Sequence, residues 1–533
     1  MYKQQGQYEI ALMHFKRALE IKHDIPEAHY NLGSIYREHG LTKEAEACFK
    51  NALDLVTGNI QYAIYLHLSM PIIAESSEAS KACLERYKNG ISSLKSMPGY
   101  LNDPTNRCNS PSFYLAYHNH NNKSIMTELG QFFREKSPEL NVTSPHVKTW
   151  SPPVASGRRI RVGIVSQFLV EHTIGKLYQG LIRHLDRSRF EIIVVHTCKS
   201  KLDGFSQEID ALAERSIVLP VALKDQQEAI ASEKIDVLFF PDIGMEVSTY
   251  FLAFARLAPV QVVSWGHPDT TGLDTMDYFL SAESIEPDTA EDHYSERLIR
   301  FNRLPCHYQP LIIPEHVADR SELGLPETGT IYACPQALFK FHPEFDPILA
   351  EILKGDESGH IVILGGKYGT WTTLLRERWE KTFPELSEKV IVLPRMPLDR
   401  FMELMAHVDV LLDPIHFGSG NTLYEGMVHG TPIVTWPGHF MRGRIVAGAY
   451  RQMDVNDAPV AATPAEYAPL AISLGKDLER RRLLRAELLN KAALNLFADM
   501  TAIREFEEFL EASVEAAGRG EKLPVGWRPS VAK

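Results

Sequence analysis

The sequence predicts an α/β protein: two successive doubly wound halves, each a parallel sheet wrapped by helices, behind a short all-helical repeat region. Three observations carry this. The first 56 residues repeat at a spacing of 34 positions; from Ile160 short β-branched runs alternate with helical stretches; and a second series of such runs begins near Thr330, after a crossing at 311–326. At 533 residues the chain is too long for one ordinary core and corresponds to about three domains.

The repeat shows as Tyr2/Tyr36, Gly6/Gly40, Ala11/Ala45, Phe15/Phe49, Ala18/Ala52 and Leu19/Leu53, with Pro26 where the second helix of a repeat should stop. This is the tetratricopeptide pattern. The first copy lacks most of its opening helix, so residues 1–56 hold about one and a half repeats. Such units bury their apolar faces only against neighbours, so the stub is expected to pack on later segments of its own chain or on another chain, a homo-oligomer through the stub being one form of the latter. Residues 57–150 read as a helical connecting region that loops through MPGYLNDPTNRCNSPSFYLAYHNHNN, and SPPVASGRR (151–159) reads as a linker.

In the first half, 151–315, the strands are RIRVGIVS, FEIIVVHT, SIVLP, IDVLFFPD, VQVVSWG and MDYFLSA; in the second, 316–515, TIYACP, HIVILGG, VIVLP, VDVLLDP and PIVTWP. Continuous apolar strands separated by helices imply parallel sheets covered on both faces. With one crossing between the halves, a cleft opens where carboxyl ends of strands gather loops and helix starts. The tail 516–533 is polar and expected to be mobile.

Composition narrows the function. A formal charge of −12, from 56 basic and 68 acidic residues, argues against a nucleic-acid partner, which needs a basic face. There is no run long and apolar enough for a membrane span and no signal-peptide pattern at MYKQQGQYEI, so a cytoplasmic location without membrane attachment is expected. Six scattered cysteines show no CxxC pair, and His118, Asn119, His120 lack cysteine or carboxylate partners at ligand spacing, so no metal is expected.

Three motifs carry chemistry. In LLDPIHFGSGNTLYEGMVHGTPIVTWPG a strand, a small-residue loop and a helix start succeed one another, with Gly418, Ser419, Gly420, Asn421 and Thr422 exposing backbone N–H groups to an anion such as a diphosphate. Glu425, one turn into the helix, is placed to accept from a ribose hydroxyl pair. In IYACPQALFKFHPEF, Lys340 lies beyond a strand's carboxyl end, facing the same cleft, where an ammonium would neutralise charge on a departing phosphate. In VGIVSQFLVEHTIGKL, His172 comes after the first strand of the first half and would look across the cleft, where a neutral imidazole could orient an acceptor or take its proton. Each has a bland counterpart: a turn, a surface cation, a loop histidine.

Together, in this order and behind tetratricopeptide repeats, the motifs resemble the family 41 glycosyltransferases, the O-linked N-acetylglucosamine transferases and their SPINDLY-like bacterial relatives, from the repeats to about residue 515. RVGIVSQFLVEHTIGKL resembles the family's GYVSxDFxxHP segment, GHPDTTGLDTMDYFLSAESIEP its G(Y/H)PGTTG…MDY segment, ALFKFHP its FNxxxKIxP, and the 411–438 stretch its LDTxPxNGHTTxxDALWxGxPVVTxxG. The resemblance implies a GT-B fold, a UDP-sugar donor (UDP-N-acetylglucosamine or another UDP-hexose), a protein or peptide acceptor, and inversion at the anomeric carbon with no metal or other cofactor. It places His172 at the donor and acceptor site, Lys340 on the diphosphate, Asn421 and Thr422 on the phosphates, Glu425 in place of a ribose-binding aspartate, and Arg444 on the helix after the loop. Gly420 stands where the family carries the histidine of NGHTT, and the GxGNT…E pattern also approaches the N-glucosyltransferases that modify asparagine. The implied function is transfer of N-acetylglucosamine to Ser/Thr hydroxyls; transfer to asparagine or a glycan, and a non-catalytic repeat protein, remain the alternatives.

Overall fold

The computed structural model describes residues 7–109, 112–153 and 157–530. Tyr2 and Gly6 of the repeat, residues 154–156 of the linker and 531–533 of the tail lie outside the described residues.

Two parallel sheets form the body. The first holds seven strands, β1 (Ile160–Ser166), β2 (Phe190–His196), β3 (Arg215–Val218), β4 (Val237–Phe240), β5 (Val260–Ser264), β6 (Tyr278–Ala282) and β7 (Arg297–Phe301), in the order β3-β2-β1-β4-β5-β6-β7. The second holds β8 (Ile331–Ala333), β9 (His360–Leu364), β10 (Val390–Leu393), β11 (Val410–Leu412) and β12 (Ile433–Val434), in the order β10-β9-β8-β11-β12. The expected GT-B class, two Rossmann-like halves behind a helical repeat region, is the one observed. Strands β1, β4 and β5 are buried almost throughout, as continuous apolar runs in a doubly covered sheet should be. The sequence reading missed β7, RLIRF, because two arginines interrupt its apolar run; it is the sheet edge, where only one neighbour must be satisfied.

The halves are joined twice, not once. The helix Met500–Gly518 turns back onto the first sheet, with Phe506 against Phe239 and Phe301 and Phe509 against Tyr278. The end of the 316–515 stretch therefore packs with the first half: its apolar stripe has its burying surface there. The tail, expected to be mobile, continues along the same sheet, with Leu523 N–H donating to Tyr278 Oη at 2.9 Å and Trp527 packed on Phe509.

The repeat stub consists of helices Tyr8–Ile21, Pro26–Glu38 and Thr42–Leu55. It packs on the second half of the same chain. Trp371 and Thr370, on the helix Gly369–Thr382 of that half, donate to Glu38 O and His39 O at 3.0 and 2.7 Å, and Tyr368 stacks on His39. Gly40 makes the close approach possible: its φ of +79° suits glycine, and a Cβ there would already press Leu374 Cδ1 at 3.1 Å.

Candidate functional site

Strand order explains where the site lies. In the second sheet chain order reverses between β8 and β11, and in the first between β1 and β4; a crevice opens at such switch points because the loops leaving the two strands diverge. The loop after β8 carries Gln336 and Lys340, that after β11 carries 413–420, and that after β1 carries His172. A cavity of about 450 Å³ lies among them, lined by His172, Lys340, Gly420, Asn421 and Thr422. It shares Gln336, Phe339, Arg395 and Thr422 with a second lobe of about 530 Å³, lined also by Glu425, Lys367 and Trp371. Together they form one cleft between the halves.

At its floor, Lys340 Nζ donates to Gln336 Oε1 at 2.8 Å and to Gly418 O at 2.9 Å, and lies 4.9 Å from the centre of the Phe417 ring. Burial lowers its pKa to about 8, against the opposing pull of the Asp413 carboxylate. Asp413 is buried, accepts from Ser419 N–H at 2.6 Å and Thr435 Oγ1 at 2.7 Å, and sits where a Cβ on residue 418 would come within 2.7 Å of its Oδ2. The bare backbone at Gly418 is thus required first by Asp413. This corrects part of the sequence expectation: Gly418 N–H donates to Arg442 O, Ser419 N–H to Asp413, and Ser419 Oγ accepts from Gln336. The N–H groups left available to a ligand are those at the start of the helix Asn421–Met427, which have no acceptor within their own helix.

Asn421 spans the halves: its Oδ1 accepts from Tyr308 Oη at 2.8 Å, and its Nδ2 donates to Glu425. Burial raises the Glu425 pKa to about 7, with Lys176 the largest opposing charge. Its carboxyl therefore becomes a full acceptor only as pH rises through about 7. A ligand whose hydroxyls donate to Glu425 is expected to bind more tightly as pH rises from 6 to 7.5 and to lose that dependence in Glu425→Gln, as read by calorimetry. In the ligand-free protein the sign is opposite: folded Glu425 holds its proton more tightly than the ordinary 4.5, so its contribution to stability declines as pH rises from about 4.5 to 7.

His172 caps the helix Thr173–His184, its Nδ1 accepting from Ile174 N–H at 3.3 Å while its ring stacks on Phe168. With Nδ1 used as acceptor, the neutral ring carries its proton on Nε2 and offers a donor to the cleft. Burial, helped by Lys176, lowers the pKa to about 4. The ring is therefore a hydrogen-bond donor at neutral pH and a poor proton acceptor. Arg444, the remaining sequence candidate, lines neither lobe; its guanidinium donates to Ile285 O and Gly438 O at 3.1 and 2.9 Å, fastening the halves beside the cleft.

The sequence reading missed the lining residues Gln336, Lys367 and Arg395 and the supporting Asp413. A polar or charged residue just past a parallel strand is their shared signal, visible in ACPQ, LGGK, LPR and LLD. It also missed an aromatic wall from the connecting region, where Tyr117 stacks on Phe417 at 4.2 Å and Phe113 packs edge-on to Phe339. No helix among the described residues is long and apolar enough to cross a membrane.

Residues 114–304 match the family model of Glycosyl transferase family 41, and residues 1–40 and 26–55 match tetratricopeptide repeat models. The chain is 25% identical over 331 residues to the UDP-glucose:protein N-beta-glucosyltransferase of Actinobacillus pleuropneumoniae serotype 5b, covering 61% of this chain and 52% of that one. It is 22% identical over 408 residues to a protein of Oryza sativa subsp. japonica named "Probable UDP-N-acetylglucosamine--peptide N-acetylglucosaminyltransferase SPINDLY", covering 72% and 42%. The chain spans about half or less of the length of these curated relatives. In fold it is similar to a solved mutant of the O-GlcNAc transferase of Thermobaculum terrenum, with a TM-score of 0.75 at 22% identity over 97% of this chain and 96% of that one.

Proposed function

From the match of residues 114–304 to the family 41 glycosyltransferase model we propose that the protein transfers a sugar from a UDP-sugar to a protein or peptide. The observation that carries this reading is the single cleft in which His172, Lys340 and the helix start at Asn421 line one lobe and Glu425, Lys367 and Arg395 the adjoining lobe. The second lobe fits a nucleoside, with Glu425 as the ribose acceptor; the diphosphate lies over Lys340 and the N–H groups at Asn421 and Thr422; the sugar faces His172 and the aromatic wall.

The acceptor oxygen attacks the anomeric carbon as the carbon–oxygen bond to the diphosphate breaks, with inversion. The developing charge on the leaving oxygen is met by the Lys340 ammonium and the helix-start donors, which are in place before the reaction begins. In this reading Lys340 supplies the counter-charge that a metal would otherwise bring. Because His172 presents Nε2–H, it donates to the donor or sugar, and the acceptor's proton leaves to a phosphate oxygen or a water. His172→Ala is expected to lower turnover roughly tenfold, the scale of one hydrogen bond, with the shape of the pH–rate profile between pH 5.5 and 8 unchanged. A general base would instead account for about 10²–10⁴ and take one limb of the profile with it.

N-acetylglucosamine transfer to Ser/Thr is the leading form, in the cytoplasm. Transfer of a hexose to asparagine is the second, favoured by the match to the N-glucosyltransferase and by Gly420 in place of a histidine. Incubation of the purified chain with UDP-N-acetylglucosamine or UDP-glucose and a peptide mixture, read by mass spectrometry, decides which sugar goes to which atom; no modification with either donor, together with no thermal shift by UDP, would leave the non-catalytic reading standing. At 100 times its dissociation constant UDP should add about 2.7 kcal/mol.

A further inference from the structure

The two loops that meet below the diphosphate position also bring together three metal-capable side chains unrelated to the transfer chemistry. His342 and Glu344 come shortly after Lys340 in the chain, and His416 precedes Gly418 by two residues. One ligand atom from each lies within 4.8 Å of the others, the one such grouping found among the described residues. The two imidazoles are 7% and 4% exposed and stand perpendicular with centroids 4.8 Å apart, while the Glu344 side chain reaches solvent. Glu344 Oε2 lies 2.7 Å from His416 Nε2 and 4.0 Å from His342 Nδ1. His416 is also held at φ +73°, uncommon away from glycine, and its buried Nδ1 has no hydrogen-bond partner.

We propose that His342, His416 and Glu344 form a binding site for a divalent transition cation of the zinc class, open on the Glu344 side. Two imidazole nitrogens and one carboxylate with a position left for water is a donor set that suits zinc and its neighbours, whereas calcium and magnesium require oxygen ligands. The buried guanidiniums whose charge reaches the two imidazoles are themselves matched by carboxylates: Arg378, which acts on His342, is paired with Asp346 at 2.7 Å, and Arg442, which acts on His416, lies 3.7 Å from Asp269. Bonds of about 2.0–2.2 Å require His342 to close in and Glu344 to swing away from His416, a motion open to a half-exposed side chain. His342 Nδ1, which accepts from Glu344 N–H at 3.3 Å, would exchange that contact for the metal or turn its other nitrogen inward. The bound ion would pin the Lys340 loop to the Gly418 loop without touching the diphosphate.

The test uses the tag-free full chain and metal alone. Calorimetric titration with ZnCl2 is expected to show one equivalent bound, and Co2+ is expected to give a ligand-field absorption band that zinc displaces. Glu344→Gln, at a side chain that reaches solvent, should weaken zinc roughly tenfold or more; His342→Asn and His416→Asn should abolish the cobalt band, asparagine being chosen at 416 because it tolerates a left-handed backbone. Absence of a zinc isotherm, or isotherms unchanged in all three variants, would overturn the site. Either result is independent of whether UDP binds.

Discussion

Lys340→Met is expected to reduce turnover by about 10²–10³, the range seen when one preorganised donor is removed from a charged transition state, and to weaken UDP in calorimetry. The ammonium is held by Gln336 and Gly418 O over the Phe417 ring, so it would meet the proposed diphosphate with little rearrangement. That placement opposes the stability of the empty protein. Burial lowers the Lys340 pKa from 10.5 to about 8, which means the folded state holds the proton less tightly than the unfolded one; the resulting destabilisation is fully present below about pH 8 and fades as pH rises toward 10.5. Replacing the charge by a thioether of similar length should therefore leave the melting temperature of the ligand-free protein unchanged or higher at pH 7, while the UDP-induced shift disappears. A lysine serving only to brace the loop would give the reverse pattern: a lower melting temperature and undiminished UDP affinity. Strain of this kind at a site, relieved by ligand, is a common stability–function trade-off.

Arg378→Met is expected to produce the largest loss of stability, roughly 3–5 kcal/mol, because it strands a buried carboxylate. Arg378 donates to Asp346 Oδ2 and Oδ1 at 2.7 and 2.8 Å, to Ala74 O at 2.8 Å and to Phe341 O at 2.9 Å, and both side chains are almost fully buried. One guanidinium thus fastens the connecting region, through Ala74, to the loop that carries Lys340, through Phe341. The urea midpoint of the second half should fall, and UDP should bind more weakly although Arg378 lines neither lobe of the cleft. In Arg378→Met combined with Asp346→Leu most of the midpoint should return, since an apolar pair of similar volume replaces the ion pair, while the hydrogen bonds to Ala74 O and Phe341 O stay lost. A single variant within about 1 kcal/mol of the parent would show that the carboxylate finds other partners, Trp379 Nε1–H at 2.9 Å being the nearest.

Period and punctuation in the sequence were enough for the architecture. The 34-residue repeat, the β-branched runs and the glycine-marked loop after VDVLLDP are local signals, and each strand named from them is present in the structure. The strand that was missed, RLIRF, is one whose environment is an edge, which the alternation of arginine with apolar residues does not distinguish from a loop. The last helix was assigned to the half that precedes it in sequence because nothing local says which sheet its Phe506 and Phe509 will meet.

What the sequence by itself determined is therefore the two doubly wound halves, their order, and which loops stand at carboxyl ends of strands with His172, Lys340 and the 418–422 segment on them. Only the tertiary structure decided the chemistry of those residues. Gly418 is bare to admit Asp413; Lys340 is held by a carbonyl and an amide rather than by free solvent; His172 offers a proton instead of taking one because Ile174 N–H occupies its other nitrogen; Arg444 is spent on carbonyls beside the cleft; and His342, Glu344 and His416 meet across loops more than 70 residues apart in sequence. The physical reason is one of range. Periodicity and turn propensity act over a few residues, whereas hydrogen-bond direction, burial and the pKa shifts that burial causes depend on which distant segment supplies the partner.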